Sequence, residues 1–163
     1  MPVLTTEKLA THVGALIEGV DRDGLVSDGG LPAVVLDALE ANGVLVFRGL
    51  HLDDATQVAF SKQLGRVEVL GRGEFPEIFR VTLDPSKNPV AAYLRGTFDW
   101  HIDGCTEDVP IMATMLSAHA VAATGGETEF ASTYAAYGDL TDEEKERFGS
   151  LRVVHSLEAS QRL

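Results

Sequence analysis

The first part of the chain alternates apolar runs with amphipathic stretches. Residues 13–20 have the composition of a strand, and residues 21–30, which are polar and rich in glycine, are typical of a loop. Apolar residues at helical spacing over 33–41 predict a short amphipathic helix, with Pro32 in its first turn and Gly43 just after its end. The pattern therefore indicates a strand, a loop and a helix, in that order.

A second strand and a second helix follow. Residues 44–47 form a continuous apolar run bounded by glycines, which is too short for a buried helix and typical of a strand. Asp53 or Asp54 is suited to cap the next helix, because a carboxylate can accept a hydrogen bond from a free backbone N–H. The apolar face of that helix predicts an end at about Gly65.

The rest of the chain is dominated by extended and loop-like patterns. Residues 78–83 are typical of a strand, and residues 84–98 of a long loop. Residues 111–123 are apolar enough for a buried strand, and a Thr-Gly-Gly turn over 124–126 leads to a further extended stretch over 128–130. These patterns predict an α+β protein in which strands and helices alternate early and loops and strands follow.

A short acidic helix is the last predicted element. Thr141 and Glu144 have the spacing of a capping box, and the helix is expected to run to about Phe148. The sequence has no internal repeat and no low-complexity tract. We therefore expect residues 1–163 to form a single domain.

Composition and charge narrow the classes of function. The formal net charge is −12, and no cluster of Lys or Arg is longer than two residues, which excludes a nucleic-acid partner. No apolar stretch is long enough to span a membrane, and the N-terminus does not resemble a signal peptide. A single cysteine, Cys105, excludes an internal disulfide and favours a reducing compartment, so a cytoplasmic location is expected.

The sequence His101-Ile102-Asp103 is the candidate for chemistry. On a strand, residues two apart point to the same side, so an imidazole and a carboxylate would converge. Together with a more distant histidine, such a pair forms the facial triad that binds Fe(II). His51-Leu52-Asp53 matches the same pattern, but there the role of a helix N-cap explains the carboxylate without a metal.

The context of this pair resembles the taurine dioxygenase family. Trp100 precedes His101 and Asp103, and Pro110 and the sequence Thr124-Gly125-Gly126-Glu127-Thr128 follow them, in the order of that family's signature. The resemblance covers essentially the whole chain and extends through residues 14–21, 43–49, 60–65 and 151–155.

This resemblance implies a double-stranded β-helix, or jelly roll, with flanking helices. It implies that His101 and Asp103 bind Fe(II) and that Thr128 contacts 2-oxoglutarate. The implied reaction is hydroxylation of an aliphatic carbon of a small organic substrate by O2, with decarboxylation of 2-oxoglutarate to succinate. Members of the family form part of the substrate-facing rim from two loops, so we expect Tyr93, Arg95 and Thr97 to face the substrate.

Two further positions bear on the substrate. Arg72 lies in the other rim loop, and a positive charge there is suited to an anionic substrate. Leu70 stands where the resemblance places the sulfonate-binding histidine of taurine-specific members, which argues against taurine itself.

The family also has a second iron-binding His and a cosubstrate-binding Arg, both far beyond the His-x-Asp pair, and the sequence matches neither. We therefore expect a jelly roll that is incomplete at the C-terminus and leaves an apolar face unpaired, unless a second copy or another chain covers that face. His155 is an alternative third ligand, although an ordinary structural histidine is favoured there.

Two other classes of function stay open at this stage. The first is a non-catalytic jelly-roll remnant that serves as an interaction module. The second is a bicupin-like metal-binding or isomerase domain that uses His101, Asp103 and His155 without 2-oxoglutarate.

Overall fold

The N-terminal part of the protein is built on a small mixed sheet. The computed structural model describes residues 4–91, 94 and 98–156. Within them, β1 (Thr5–Lys8), β2 (Ala15–Glu18) and β3 (Leu45–Phe47) lie side by side in that order. β1 pairs with β2 antiparallel and β2 with β3 parallel, with Ala15 opposite Leu45. Because parallel neighbours need a long crossover, the chain must leave the sheet between β2 and β3.

Helices supply that crossover and cover the sheet. α1 (Arg22–Ser27) and α2 (Leu31–Asn42) lie between β2 and β3, and α3 (Asp54–Leu64) follows β3. Their apolar faces meet in a cluster of four buried side chains, Leu25, Leu31, Val35 and Phe60. The partly buried apolar residues packed against this cluster are Leu4, Val20, Leu45, Phe47, Leu50, Leu52, Leu64 and Met115.

Most predictions for this N-terminal part are confirmed. α2 has Pro32 in its first turn and ends at Gly43, whose positive φ of 71° suits a residue without a side chain. Asp53, rather than Asp54, is the N-cap of α3. The predicted loop over 21–30 is wrong in part, because α1 forms there with the Asp21 side chain accepting a hydrogen bond from the Gly24 N–H at 2.7 Å.

After α3 the structure differs from the prediction. No strand occurs between Leu64 and Thr133 among the described residues, so the strands predicted over 78–83 and 111–123 are wrong. Residues 128–130, predicted as extended, pair with no described strand. A strand requires a partner for its backbone hydrogen bonds, and the described residues supply none here. The described helices and the small mixed sheet agree with the α+β class, whereas the jelly roll stays a prediction.

Two short helices end the described chain. α4 (Thr133–Gly138), which was not predicted, is capped by the Ser132 hydroxyl, and α5 (Asp142–Gly149) begins at the predicted capping box. In that box the Thr141 backbone N–H donates to Glu144 Oε2 at 2.8 Å, and the Glu144 N–H donates to Thr141 Oγ1 at 3.2 Å. The backbone hydrogen bond from Thr141, with a weaker contribution from its hydroxyl, lowers the pKa of the Glu144 carboxyl.

The second half of the chain exposes many large apolar side chains. Val121 is 82% and Val154 87% exposed, although both belong to apolar runs. Further exposed residues of this kind are Phe98, Trp100, Ile102, Val109, Met112, Leu116, Tyr134 and Val153. In the described ranges, no helix combines the length and apolarity needed to cross a membrane.

Adjacent valines of α2 allow a matched test of the core. Val35 is buried in the cluster, whereas Val34 is 48% exposed. We expect Val35→Ala to lower the free energy of unfolding by roughly 1–3 kcal/mol, because two methyl groups lose their buried environment. Val34→Ala, the same chemical change on the same helix, should stay within about 0.5 kcal/mol of the parent. Urea unfolding followed by circular dichroism measures both, and equal losses would contradict the described core.

Candidate metal centre

The His-x-Asp pair lies on a turn and not on the predicted strand. His101 and Ile102 precede a series of turns that begins at Asp103. The two side chains nevertheless meet, because His101 Nε2 lies 3.4 Å from Asp103 Oδ1. The geometry that a strand was expected to provide is thus provided by a tight loop.

A backbone carbonyl orients the imidazole. His101 Nδ1 lies 2.8 Å from the Asp99 carbonyl oxygen. Since a carbonyl oxygen only accepts hydrogen bonds, this contact places the ring hydrogen on Nδ1 and directs Nε2 toward Asp103. Histidines that bind metals commonly have such a partner for their second nitrogen.

The donor set fits part of a metal site. In the neutral ring, a lone pair on Nε2 faces a carboxylate oxygen at 3.4 Å. Two electron-rich atoms at this distance repel each other unless a proton or a cation brings positive charge near both. An imidazole nitrogen and a carboxylate oxygen are two of the three donors of the facial triad that binds Fe(II).

A threonine that the sequence patterns did not single out completes the surroundings of the carboxylate. Thr114 Oγ1 donates a hydrogen bond to Asp103 Oδ2 at 2.8 Å, so the two oxygens of Asp103 have different partners. Thr114 lies eleven residues further along the chain, within the apolar run that was predicted as a strand. No local spacing rule links a turn carboxylate to a hydroxyl at this separation.

Gly104 fixes the turn that follows Asp103. Its φ of +67° favours glycine, and a Cβ atom built there would lie only 2.7 Å from Ile111 Cγ1. The Gly104 carbonyl accepts a hydrogen bond from the Glu107 N–H at 3.1 Å. A side chain at position 104 would therefore have to displace Ile111 or open the turn.

The segment that contains Thr114 is attached to α3. The Gln57 side-chain amide donates to the Met115 carbonyl oxygen at 3.1 Å, and the Ser61 hydroxyl lies 3.7 Å from Met115 Sδ. The Met115 side chain also packs against the buried cluster. The candidate centre is therefore connected to the N-terminal core through neighbouring residues.

A third donor is not found in the part of the chain that the structure describes. Among residues 4–91, 94 and 98–156, no group of three or more His, Cys, Asp or Glu side chains could hold a metal ion. His155 and Cys105 are both exposed and do not join the pair. His101 and Asp103 are themselves about half exposed, at 48% and 52% of their side-chain surface.

The remaining predicted site residues are not brought to the pair. Thr128 lies in an exposed stretch, and no hydrogen bond among the described residues connects it to His101 or Asp103. Tyr93, Arg95 and Thr97 lie outside the described residues. Their roles at the cosubstrate and the substrate therefore stay predictions.

Arg72 and Leu70, the two rim positions that bear on the substrate, both lie in the described part of the chain. Arg72 borders an open polar cleft beside Asp54 and Arg80. Leu70 is exposed, and its backbone N–H donates to the Pro76 carbonyl oxygen at 3.0 Å.

The second His-x-Asp match has the structural role that was expected. Asp53 Oδ1 accepts a hydrogen bond from the Thr56 N–H at 2.8 Å, and Asp53 Oδ2 lies 3.4 Å from the Arg22 guanidinium. The pKa of the Asp53 carboxyl is lowered mainly by the hydrogen bond from the Thr56 backbone, and to a smaller extent by the positive charge of Arg22. His51 has a positive φ of 48° in the preceding turn. The Asp53 carboxylate therefore acts as the N-cap of α3.

Comparison with known proteins shows the family. The family described as "Taurine catabolism dioxygenase TauD, TfdA family" matches residues 5–162. The chain belongs to this TauD/TfdA family of dioxygenases. The resemblance inferred from the ordered motifs around His101 and Thr128 is thereby confirmed at the level of the family.

Individual relatives agree with this assignment. The chain is 31% identical to the (S)-phenoxypropionate/alpha-ketoglutarate-dioxygenase of Sphingobium herbicidovorans, over 98% of this chain and 56% of the relative. It is 34% identical to the alpha-ketoglutarate-dependent 2,4-dichlorophenoxyacetate dioxygenase of Burkholderia sp., over 82% of this chain and 51% of the relative. The crystal structure of AAD-2 in complex with Mn(II) and N-oxalylglycine matches with a TM-score of 0.81 at 30% identity, over 98% of this chain and 55% of AAD-2. The chain thus spans about half the length of the curated relatives it matches.

Gly104→Ala tests whether the turn beside Asp103 needs a glycine. We expect the hydrogen bond from the Glu107 N–H to be lost, because Ile111 blocks the new methyl group. Gly49→Ala is the matched control, since Gly49 has a similar φ of +70° and no atom within 4 Å of a built Cβ. Both variants carry the cost of a left-handed residue, about 1–2 kcal/mol.

Amide hydrogen exchange measured residue by residue distinguishes the two variants. Faster exchange at Glu107 in Gly104→Ala alone is the expected result. Adding Ile111→Ala should restore part of the protection, because it removes the two closest atoms and leaves only the Cβ atom of residue 111, at 3.2 Å. Unchanged protection in Gly104→Ala would show that the turn tolerates a side chain.

Proposed function

We propose that this chain carries the iron-binding His-x-Asp pair of an Fe(II)- and 2-oxoglutarate-dependent dioxygenase, and that the enzyme hydroxylates an aliphatic carbon of a small organic anion. The observation that carries the proposal is the approach of His101 Nε2 to Asp103 Oδ1 at 3.4 Å, with the second nitrogen and the second oxygen each held by another group. Membership of the TauD/TfdA family supports it.

In this proposal each residue has a stated task. His101 through Nε2 and Asp103 through Oδ1 would hold Fe(II), and Thr128 would contact 2-oxoglutarate. When bound, iron and 2-oxoglutarate supply the oxidising power, as 2-oxoglutarate loses carbon dioxide to give succinate and the substrate gains a hydroxyl group from O2. The Asp99 carbonyl keeps the proton of His101 on Nδ1, so that the lone pair of Nε2 stays available to bind the metal ion.

The substrate class is inferred from the relatives and from charge. Two relatives are named for phenoxypropionate and dichlorophenoxyacetate, which are carboxylates, and a third, from Pseudomonas putida, for sulfate esters. A small organic anion is therefore the proposed substrate class. Tyr93, Arg95 and Thr97 are the proposed contacts to it, and Arg72 offers a further positive charge at the polar cleft.

A second candidate function is a non-catalytic interaction module. The described residues supply two metal donors and not three, and many large apolar side chains of the second half are exposed. Both observations suit a chain that acts by binding a second copy or another protein. A cytoplasmic location remains part of either proposal.

An anaerobic titration with Fe(II) and 2-oxoglutarate separates the two candidates. The dioxygenase proposal predicts saturable binding of both, detected as a weak visible charge-transfer band, because chelation of 2-oxoglutarate on iron creates this absorption. His101→Ala and Asp103→Asn should each abolish the band, since either change removes one of two protein donors.

Controls identify the donors that take part. His119→Ala removes an exposed histidine that forms no metal-binding group with His101 and Asp103 and should leave the band unchanged. Loss of the band in His155→Ala would identify His155 as a third donor. Absence of any saturable band in the parent chain would overturn the dioxygenase proposal for this chain and favour the interaction module.

A further inference from the structure

We propose that Thr114 is a positioning residue for the metal ligand Asp103. Its hydroxyl would hold one carboxylate oxygen, so that the other oxygen alone is presented beside His101. The inference rests on the proposed function, because it assigns a task to Thr114 only if Asp103 binds a metal ion.

The two oxygens of Asp103 already have different environments. Oδ2 accepts the hydrogen bond from Thr114 Oγ1 at 2.8 Å, and Oδ1 faces His101 Nε2 at 3.4 Å. The terminal torsion of an aspartate is broad and nearly two-fold, so an unrestrained carboxylate could turn either oxygen, or both, toward a cation. A donor fixed on Oδ2 restricts the carboxylate to one metal-facing oxygen.

The position of Thr114 is in turn set by its neighbour Met115. The Met115 carbonyl accepts a hydrogen bond from the Gln57 side chain of α3, and the Met115 side chain packs against the buried cluster. Thr114 and Met115 thus contact opposite parts of the molecule, one the candidate centre and the other the core. Thr114 and Met115 therefore link the orientation of the Asp103 carboxylate to α3.

Exposure sets the expected size of the effect. Thr114, Asp103 and His101 are all exposed, so water competes for the same carboxylate oxygen. Loss of a hydrogen bond to a metal ligand commonly weakens metal binding by about 10- to 100-fold. For this exposed pair we expect the lower end, about tenfold.

Mn(II) titration of the full chain, followed by electron paramagnetic resonance of free Mn(II), is the first measurement. Thr114→Val should bind Mn(II) about tenfold more weakly, and Thr114→Ser, which keeps the hydroxyl, should bind as the parent does. Thr106→Val is the matched control, because Thr106 lies in the same exposed loop and its hydroxyl has no hydrogen-bond partner among the described residues. In an Asp103→Asn background, Thr114→Val should cause no further loss.

A second measurement separates this inference from the proposed function. The carbon-13 NMR signal of the Asp103 carboxylate, recorded without metal at one neutral pH, should move in Thr114→Val and not in Thr106→Val. An unmoved signal, or measurable Mn(II) binding that is equal in Thr114→Val and in the parent, would overturn the positioning role. A moved signal in a chain that binds no Mn(II) would keep the contact to Asp103 and refute the metal-binding function.

Discussion

The attachment of Met115 to α3 is the interaction on which the candidate centre depends. Its side chain packs against the buried cluster, and its carbonyl oxygen is held by Gln57. One residue before it, Thr114 reaches the carboxylate of Asp103, and Ile111 lies against the turn at Gly104. A shift of this segment relative to α3 would therefore move the contacts on both sides of Asp103.

Elements that depend on local interactions were predictable from the sequence. α2 follows from its apolar spacing, Pro32 and Gly43, and α3 from its apolar face and the cap at Asp53. α1 was not predicted, because Asp21 and Gly24, which form its cap, also give the segment a loop-like composition. The strand predicted over 111–123 is wrong for a different reason, since apolar composition alone does not supply the neighbouring strand that pairing requires.

The candidate centre shows the same division between local and distant information. His101 and Asp103 were recognisable from their spacing and from the order of the surrounding motifs. Their convergence on a turn depends on Gly104 and Ile111, seven residues apart, and the contact from Thr114 arises from still further along the chain. Such contacts follow from tertiary packing, which no short pattern in one sequence encodes. The roles assigned to Thr128, Tyr93, Arg95 and Thr97 remain predictions.

The parallel pairing of β2 with β3 has a consequence for the order in which the protein acquires its structure during synthesis. Residues 4–64, which contain the mixed sheet, its crossover helices and α3, leave the ribosome before His101 does. Among the described residues, the buried cluster and all the apolar residues packed against it except Met115 lie within that stretch, so this part can pack while the second half is still being made. The surface of α3 is then in place when Met115 emerges. The nascent chain therefore forms α3, to which the segment with Met115 attaches, before the residues of the candidate centre have all been translated.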